Sequence, residues 1–125
     1  MAAKKKILVV DDERDLVDLL ALRFQSEGYD VIQAFDGMDG LEKVRANNPD
    51  LIILDVMMPR LNGYQVCREL KQDVKFKKIP IIMLTAKAQE SDKFWGMETG
   101  AEGYITKPFD FGNLSETVKK FLLNT

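Results

Sequence analysis

Four short apolar runs in this chain each stop at residues able to handle a phosphoryl group. Ile7 to Val10 leads into Asp11-Asp12, Leu51 to Leu54 into Asp55, Ile81 to Leu84 into Thr85, and Gly103 to Thr106 into Lys107-Pro108. Runs of this length read as buried parallel strands, and ligands of an open α/β sheet bind outside the strands' carboxyl ends. The three acids, the hydroxyl and the amine are therefore expected to converge. Carboxylates about 4 to 6 Å apart repel by a few kcal/mol per pair at an effective dielectric near 20, so a proton or a cation must sit among them. An all-oxygen donor set selects Mg²⁺ or Mn²⁺, and Mg²⁺ favours one or two carboxylates with waters and phosphate oxygens, which leaves one carboxylate free to act. Asp55 is the candidate nucleophile. Its attack on phosphorus would give an acyl phosphate, with the metal on one side of the developing charge, Lys107 on the other, and the Thr85 hydroxyl donating to a third oxygen.

Positioning these groups requires strands alternating with helices, and the strand candidates recur at intervals of roughly two dozen residues, the rhythm of consecutive βα units. They are Ile7 to Val10, Val31 to Ala34, Leu51 to Leu54, Ile81 to Leu84 and Tyr104 to Thr106. The first helix is expected over about Asp15 to Glu27, with Leu16, Leu20 and Phe24 as its buried stripe and Gly28 at its stop. Asp36 reads as the N-cap of the second, which turns Leu41 and Val44 inward and ends near Asn47-Asn48-Pro49. The third begins near Gly63 and aligns Val66, Cys67 and Leu70. The fourth covers about Glu90 to Thr99, and the fifth, after an Asp110 cap, carries Leu114, Val118 and Phe121. Right-handed crossovers then place helices on both faces of one parallel sheet, a three-layer α/β domain spanning residues 1–125.

Composition narrows the function. With 46% hydrophobic and 30% charged residues, the chain has enough apolar material for a core without staples. One cysteine, Cys67, excludes an internal disulfide and fits a reducing compartment, and no apolar run is long enough to span a bilayer. Lys4-Lys5-Lys6 runs straight into the first strand rather than into a secretory apolar region, so a cytoplasmic location is expected. A formal net charge of -2 gives no broad basic surface for nucleic acid. The absence of histidine removes Ser-His and Cys-His nucleophile pairs, the usual zinc sites, and any phosphohistidine on this chain itself.

Taken singly, each of these residues has a plain explanation. Asp12 alone reads as a helix cap, Thr85 as a strand residue, and Lys107-Pro108 as a turn, because proline cannot continue a strand. Four separate strand ends carrying acids, a hydroxyl and an amine are not explained by caps.

Asp11-Asp12, the stretch Asp55-Val56-Met57-Met58-Pro59 with Gly63 beyond it, Thr85-Ala86, and Tyr104-Ile105-Thr106-Lys107-Pro108-Phe109 resemble the receiver domain of two-component response regulators, of the single-domain chemotaxis-regulator type. The resemblance covers essentially the whole chain. It implies a five-stranded, doubly wound, flavodoxin-like sheet of order 2-1-3-4-5. It also implies that Asp55 is the phosphoacceptor, phosphorylated by the phosphohistidine of a histidine kinase or phosphotransfer protein. Asp11, Asp12, Asp55 and the Met57 backbone carbonyl would bind Mg²⁺, while Lys107 and Thr85 would contact the phosphoryl group. The Lys-Pro bond would be cis. Such a domain is a signalling receiver rather than an enzyme acting on outside substrates, although it catalyses its own phosphorylation and slow autodephosphorylation. In the implied switch, Thr85 moves toward the phosphoryl oxygens and Tyr104 turns into the space it leaves, altering the surface of the fourth helix, fifth strand and fifth helix for a downstream protein target. Dimerisation through that surface stays open, and neither membrane insertion nor direct nucleic-acid contact is implied.

Met57 and Lys87, two residues beyond the acceptor and the threonine, are expected to flank the mouth of the site. An apolar Met57 offers no base to orient an attacking water, which fits slow dephosphorylation; it equally reads as gap-filling. Trp95 is expected a quarter turn off a Phe94/Met97/Ala101 stripe, toward Ser91 and Glu98, and Leu22 off the stripe of the first helix, both partly exposed. Two other chemistries fit less well. A flavin module would need a hydroxyl- and glycine-rich loop after the first strand, where Asp11-Asp12-Glu13 would repel a phosphate. A phosphatase with an aspartyl nucleophile would carry it after the first strand with a second acid two residues on, whereas Asp55 follows the third strand and is followed by Met57.

Overall fold

The computed structural model describes residues 4–86 and 100–123. The fourth-helix segment, with Lys87, Phe94, Trp95 and Met97, lies outside the described residues. Among the described residues, nine elements succeed one another along the chain: β1 (Lys6–Val10), α1 (Arg14–Ser26), β2 (Asp30–Ala34), α2 (Gly37–Asn47), β3 (Leu51–Asp55), α3 (Gly63–Lys71), β4 (Ile81–Ala86), β5 (Gly103–Lys107) and α4 (Phe111–Leu123), the last being the fifth helix expected from the sequence. The strands are parallel and form one sheet in the order β2-β1-β3-β4-β5.

Strand side chains alternate between two cores, as the period of two requires. Leu8, Val10, Ile52, Leu54, Ile81 and Met83 pack under α2 and α3 with Leu41, Val44, Val66, Cys67 and Leu70. Ile7, Val9, Leu51, Ile53, Ile82 and Leu84 face α1 and α4 with Val17, Leu20, Phe24, Leu114, Val118 and Leu122. Burial on both faces is why the central strands read as unbroken apolar runs.

Helix ends follow their local chemistry. α1 stops at Gly28, whose φ of 99° lies in the left-handed region, and the N–H of Tyr29 returns to the Phe24 carbonyl. Asp36 caps α2 by accepting from the Asp39 N–H, and Asn48 closes it in the left-handed conformation ahead of Pro49. Asn62 and Gln65 form a reciprocal capping box at the start of α3.

The buried stripe of α1 differs from the expected one. Val17, Leu20, Ala21 and Phe24 are buried, while Leu16 sits at the margin. Leu20 and Phe24 are common to both patterns; Val17 and Ala21 join them as buried residues, and Leu16 packs partly buried against the same core. Leu22 is exposed, as its place off the stripe requires. Leu122 joins Leu114 and Val118 as the buried apolar residues of α4, with Phe121 half-buried beside them.

Candidate functional site

The carboxyl edge of the sheet brings the predicted residues together. β3, β4 and β5 run further than their apolar cores suggest, so that Asp55, Thr85 and Lys107 are ladder residues, with Asp55 opposite Leu84, Thr85 opposite Thr106, and Ala86 opposite Lys107. Their backbones are held by strand hydrogen bonds, which fixes where the side chains leave the sheet. Asp11 follows β1 directly and is tied across to β2 by its N–H on the Ala34 carbonyl at 3.2 Å.

Beyond Asp55 the chain turns back under tight constraint. The Gly63 N–H donates to the Val56 carbonyl at 2.9 Å, and a Cβ on Gly63 would stand 2.2 Å from the Asp55 carbonyl oxygen. Only glycine lets α3 start this close to the Asp55 backbone.

Carboxylate oxygens of Asp11, Asp12 and Asp55 lie within 4.8 Å of one another. Asp11 is fully buried, Asp55 is 5% exposed and Asp12 faces solvent. Lys107 reaches into this group from β5. Its Nζ donates to Asp11 Oδ2 at 2.8 Å and to Glu13 Oε1 at 3.1 Å, and pairs with Asp55 Oδ1 at 3.1 Å. The other oxygen of Asp11 accepts from the Glu13 N–H at 3.0 Å. The Lys107-Pro108 bond is cis.

Among the described residues, charge is poorly balanced here. Burial pushes the Asp55 carboxyl up from 3.8 to about 6, the Asp11 charge pushes the same way, and Lys107 only partly offsets them. Burial also raises Asp11 against the pull of the Lys107 hydrogen bond. Burial alone would lower the Lys107 ammonium, but its hydrogen bond to Asp11 and the charge of Asp55 hold it above the usual lysine range. One ammonium cannot neutralise this many acids, and an all-oxygen set with one solvent-facing member suits a hard cation that keeps waters. The donor chemistry fits a metal ion held by Asp11, Asp12 and Asp55.

Thr85 is buried, and the bond its hydroxyl makes among the described residues is a long one, 3.4 Å to the Ala86 carbonyl. Met57 is exposed at 57%, consistent with a place at the mouth. Tyr104 is half-buried against the core beneath α2 and α3, and its buried hydroxyl has no hydrogen-bond partner among the described residues. Burial pushes its phenol up to about 12. Glu13 is the residue that sequence reasoning did not place on Lys107. The available signal was a glutamate where Ser, Thr, Asp or Asn would be chosen to start a helix.

The chain matches the response regulator receiver domain family over residues 7–119. It is 50% identical over 118 residues to the alkaline phosphatase synthesis transcriptional regulatory protein PhoP of Bacillus subtilis (strain 168), covering 94% of this chain and 48% of that protein. The chain thus spans about half the length of this relative. Among solved structures it is similar to a response regulator from Chloroflexus aurantiacus J-10-fl, with a TM-score of 0.91 and 36% identity over 97% of this chain and 99% of that one. It is likewise similar to the chemotaxis protein CheY4 of Vibrio cholerae, with a TM-score of 0.90 and 33% identity over 96% and 100% of the two chains.

Proposed function

The chain belongs to the response regulator receiver domain family, and on that premise we propose that Asp55 is its phosphoryl acceptor, with Asp11, Asp12, Lys107 and Thr85 as the supporting residues. The observation that carries the assignment is the pairing of a nearly buried Asp55 carboxylate with Lys107 inside a group of acids that burial and mutual repulsion leave underneutralised.

In the proposed reaction an Asp55 carboxylate oxygen attacks phosphorus on a partner's phosphohistidine. The P–O bond forms, the P–N bond breaks, and the P–N electron pair returns to the partner's imidazole. Asp55 must be ionised to attack, and its raised pKa of about 6 still leaves it so at neutral pH. Lys107 would donate to one phosphoryl oxygen, and the Thr85 hydroxyl, whose bond among the described residues is long, would re-aim toward another. Asp11, Asp12, Asp55 and the Met57 carbonyl would hold Mg²⁺, or Mn²⁺ in its place, which supplies positive charge to the transferring oxygens when bound. The same groups serve the domain's own phosphorylation from small donors and its slow autodephosphorylation, Met57 offering no base for water.

The switch runs from Thr85 to Tyr104, whose buried hydroxyl has no hydrogen-bond partner among the described residues to hold it there. Its rearrangement would alter the surface of β5 and α4 for a downstream protein target. The donor is a histidine kinase or phosphotransfer protein, residues 1–125 act as one receiver unit, and the domain works in the cytoplasm without touching nucleic acid itself. No described helix is long and apolar enough to cross a membrane.

With Mg²⁺ and acetyl phosphate, the protein is expected to gain one phosphate labile to base and hydroxylamine, read by intact-mass spectrometry. Asp55→Asn should abolish it, and equal labelling of that variant would refute the assignment.

A further inference from the structure

We infer that Glu13 is a positioning residue that competes with the incoming phosphoryl group for the Lys107 ammonium. This rests on the assignment of Asp55 as acceptor. A lysine ammonium has three N–H donors, and here its nitrogen faces three carboxylates. Those of Asp11 and Asp55 are buried, while the Glu13 side chain is 64% exposed. A phosphoryl oxygen arriving over Asp55 therefore needs a donor already in use, and the contact given up most readily is the one to Glu13, whose carboxylate can return to water.

The residue at position 13 is not explained by the helix it begins. Glu13 stands at the N-cap of α1 in extended backbone, its carbonyl accepts from the Val17 N–H at 3.1 Å, and its side chain makes no capping hydrogen bond. Glutamate is outside the preferred N-cap set. Its carboxylate instead folds back to Lys107, 94 residues away in sequence. The Glu13 N–H meanwhile donates to Asp11 Oδ1, which anchors the backbone from which the side chain reaches. Glu13 thus holds Lys107 while Asp55 is unmodified and lets go when the phosphoryl group binds.

The test is beryllofluoride binding with excess Mg²⁺, followed by ¹⁹F NMR on the intact protein, since it needs no covalent chemistry. Glu13→Gln, nearly isosteric and uncharged, should bind about two- to fivefold tighter, the size expected of one half-exposed ion pair. Glu13→Asp keeps the charge at the mouth but is one methylene too short for Nζ, so it should behave like Glu13→Gln. The gain should shrink toward unity in about 1 M salt. Equal or weaker binding by Glu13→Gln overturns the inference, as does a Glu13→Asp that matches the native protein, which would show charge repulsion without competition. Asp55→Asn separates the two failures. If it binds beryllofluoride as well as the native protein, the acceptor assignment fails and the role of Glu13 falls with it.

Discussion

Two lysines with mostly buried side chains, at different places around the sheet, show how a balanced charge differs from an unbalanced one. Lys71, at the end of α3, donates to the Lys77 and Ile79 carbonyls at 3.1 and 2.8 Å and to Glu102 Oε2 at 2.7 Å. The other oxygen of Glu102 accepts from the Ile81 N–H at 2.8 Å, so among the described residues each charge has a single counterpart. Lys107 is shared among three carboxylates, two of them buried and held above the ordinary carboxylate range. A balanced ion pair locks the loop before β4 against β5. An unbalanced one stays ready for a further cation or for a group that redistributes its charge.

Replacing both lysines by methionine should break this comparison most sharply. Lys107→Met is expected to slow labelling by acetyl phosphate about 100-fold, the loss typical of one preorganised donor to a developing charge. Lys71→Met should leave the labelling rate unchanged and lower stability by roughly 1–3 kcal/mol, because it strands two carbonyls and Glu102. Initial labelling rates and urea denaturation of the two variants measure both effects.

The imbalance should also be visible in pH dependence. The folded-state pKa of Asp55 is raised from 3.8 to about 6, so the folded protein holds this proton more tightly than the unfolded chain. Its contribution to stability is fully present below about pH 4 and is lost as pH rises through about 6. Metal-free protein should lose roughly 2–3 kcal/mol from this site across that window, with Asp11 acting in the same direction. Urea denaturation at several pH values should show the fall in the native protein and a flatter profile in Asp55→Asn. Saturating Mg²⁺ should flatten the native profile too. No such difference between native protein and variant would show that Asp55 is not strained by its surroundings.

A smaller effect is expected at Asp12, the solvent-facing acid. Asp12→Ala should weaken Mg²⁺ binding and slow labelling while stabilising the metal-free fold by about 1 kcal/mol through relief of repulsion. Isothermal titration with Mg²⁺ checks this. An unchanged affinity would leave Asp12 as an ordinary turn residue.

The site was legible in the sequence because parallel strands buried on both faces appear as apolar runs, and the residues at the carboxyl end of every run must lie at one edge of the sheet. Asp11, Asp12, Asp55, Thr85 and Lys107 were all readable in this way. Which acid is buried was not, since Asp11 and Asp12 are adjacent and only the turn after β1 sends one inward. The role of Glu13 was hidden for a different reason. Its partner is 94 residues distant, and no local period reports a side chain that folds back from a helix start. The buried stripe of α1 was only partly readable, because Val17 and small Ala21 are fully covered while the larger Leu16 is only partly buried at the margin of the core. Strand lengths were underestimated because polar Asp55, Thr85 and Lys107 end the apolar runs without ending the ladders.

The close approach of Gly63 to the Asp55 carbonyl has a bearing on engineering. Residues 55–63 form a closed segment whose two ends touch, joined by the Gly63 N–H and the Val56 carbonyl. A designer grafting Asp55 and its surroundings onto another α/β scaffold, or recombining them between relatives, would have to move the segment as one cassette. A crossover point placed inside it, with any larger residue arriving at position 63, would pry the third helix away from the aspartate it supports.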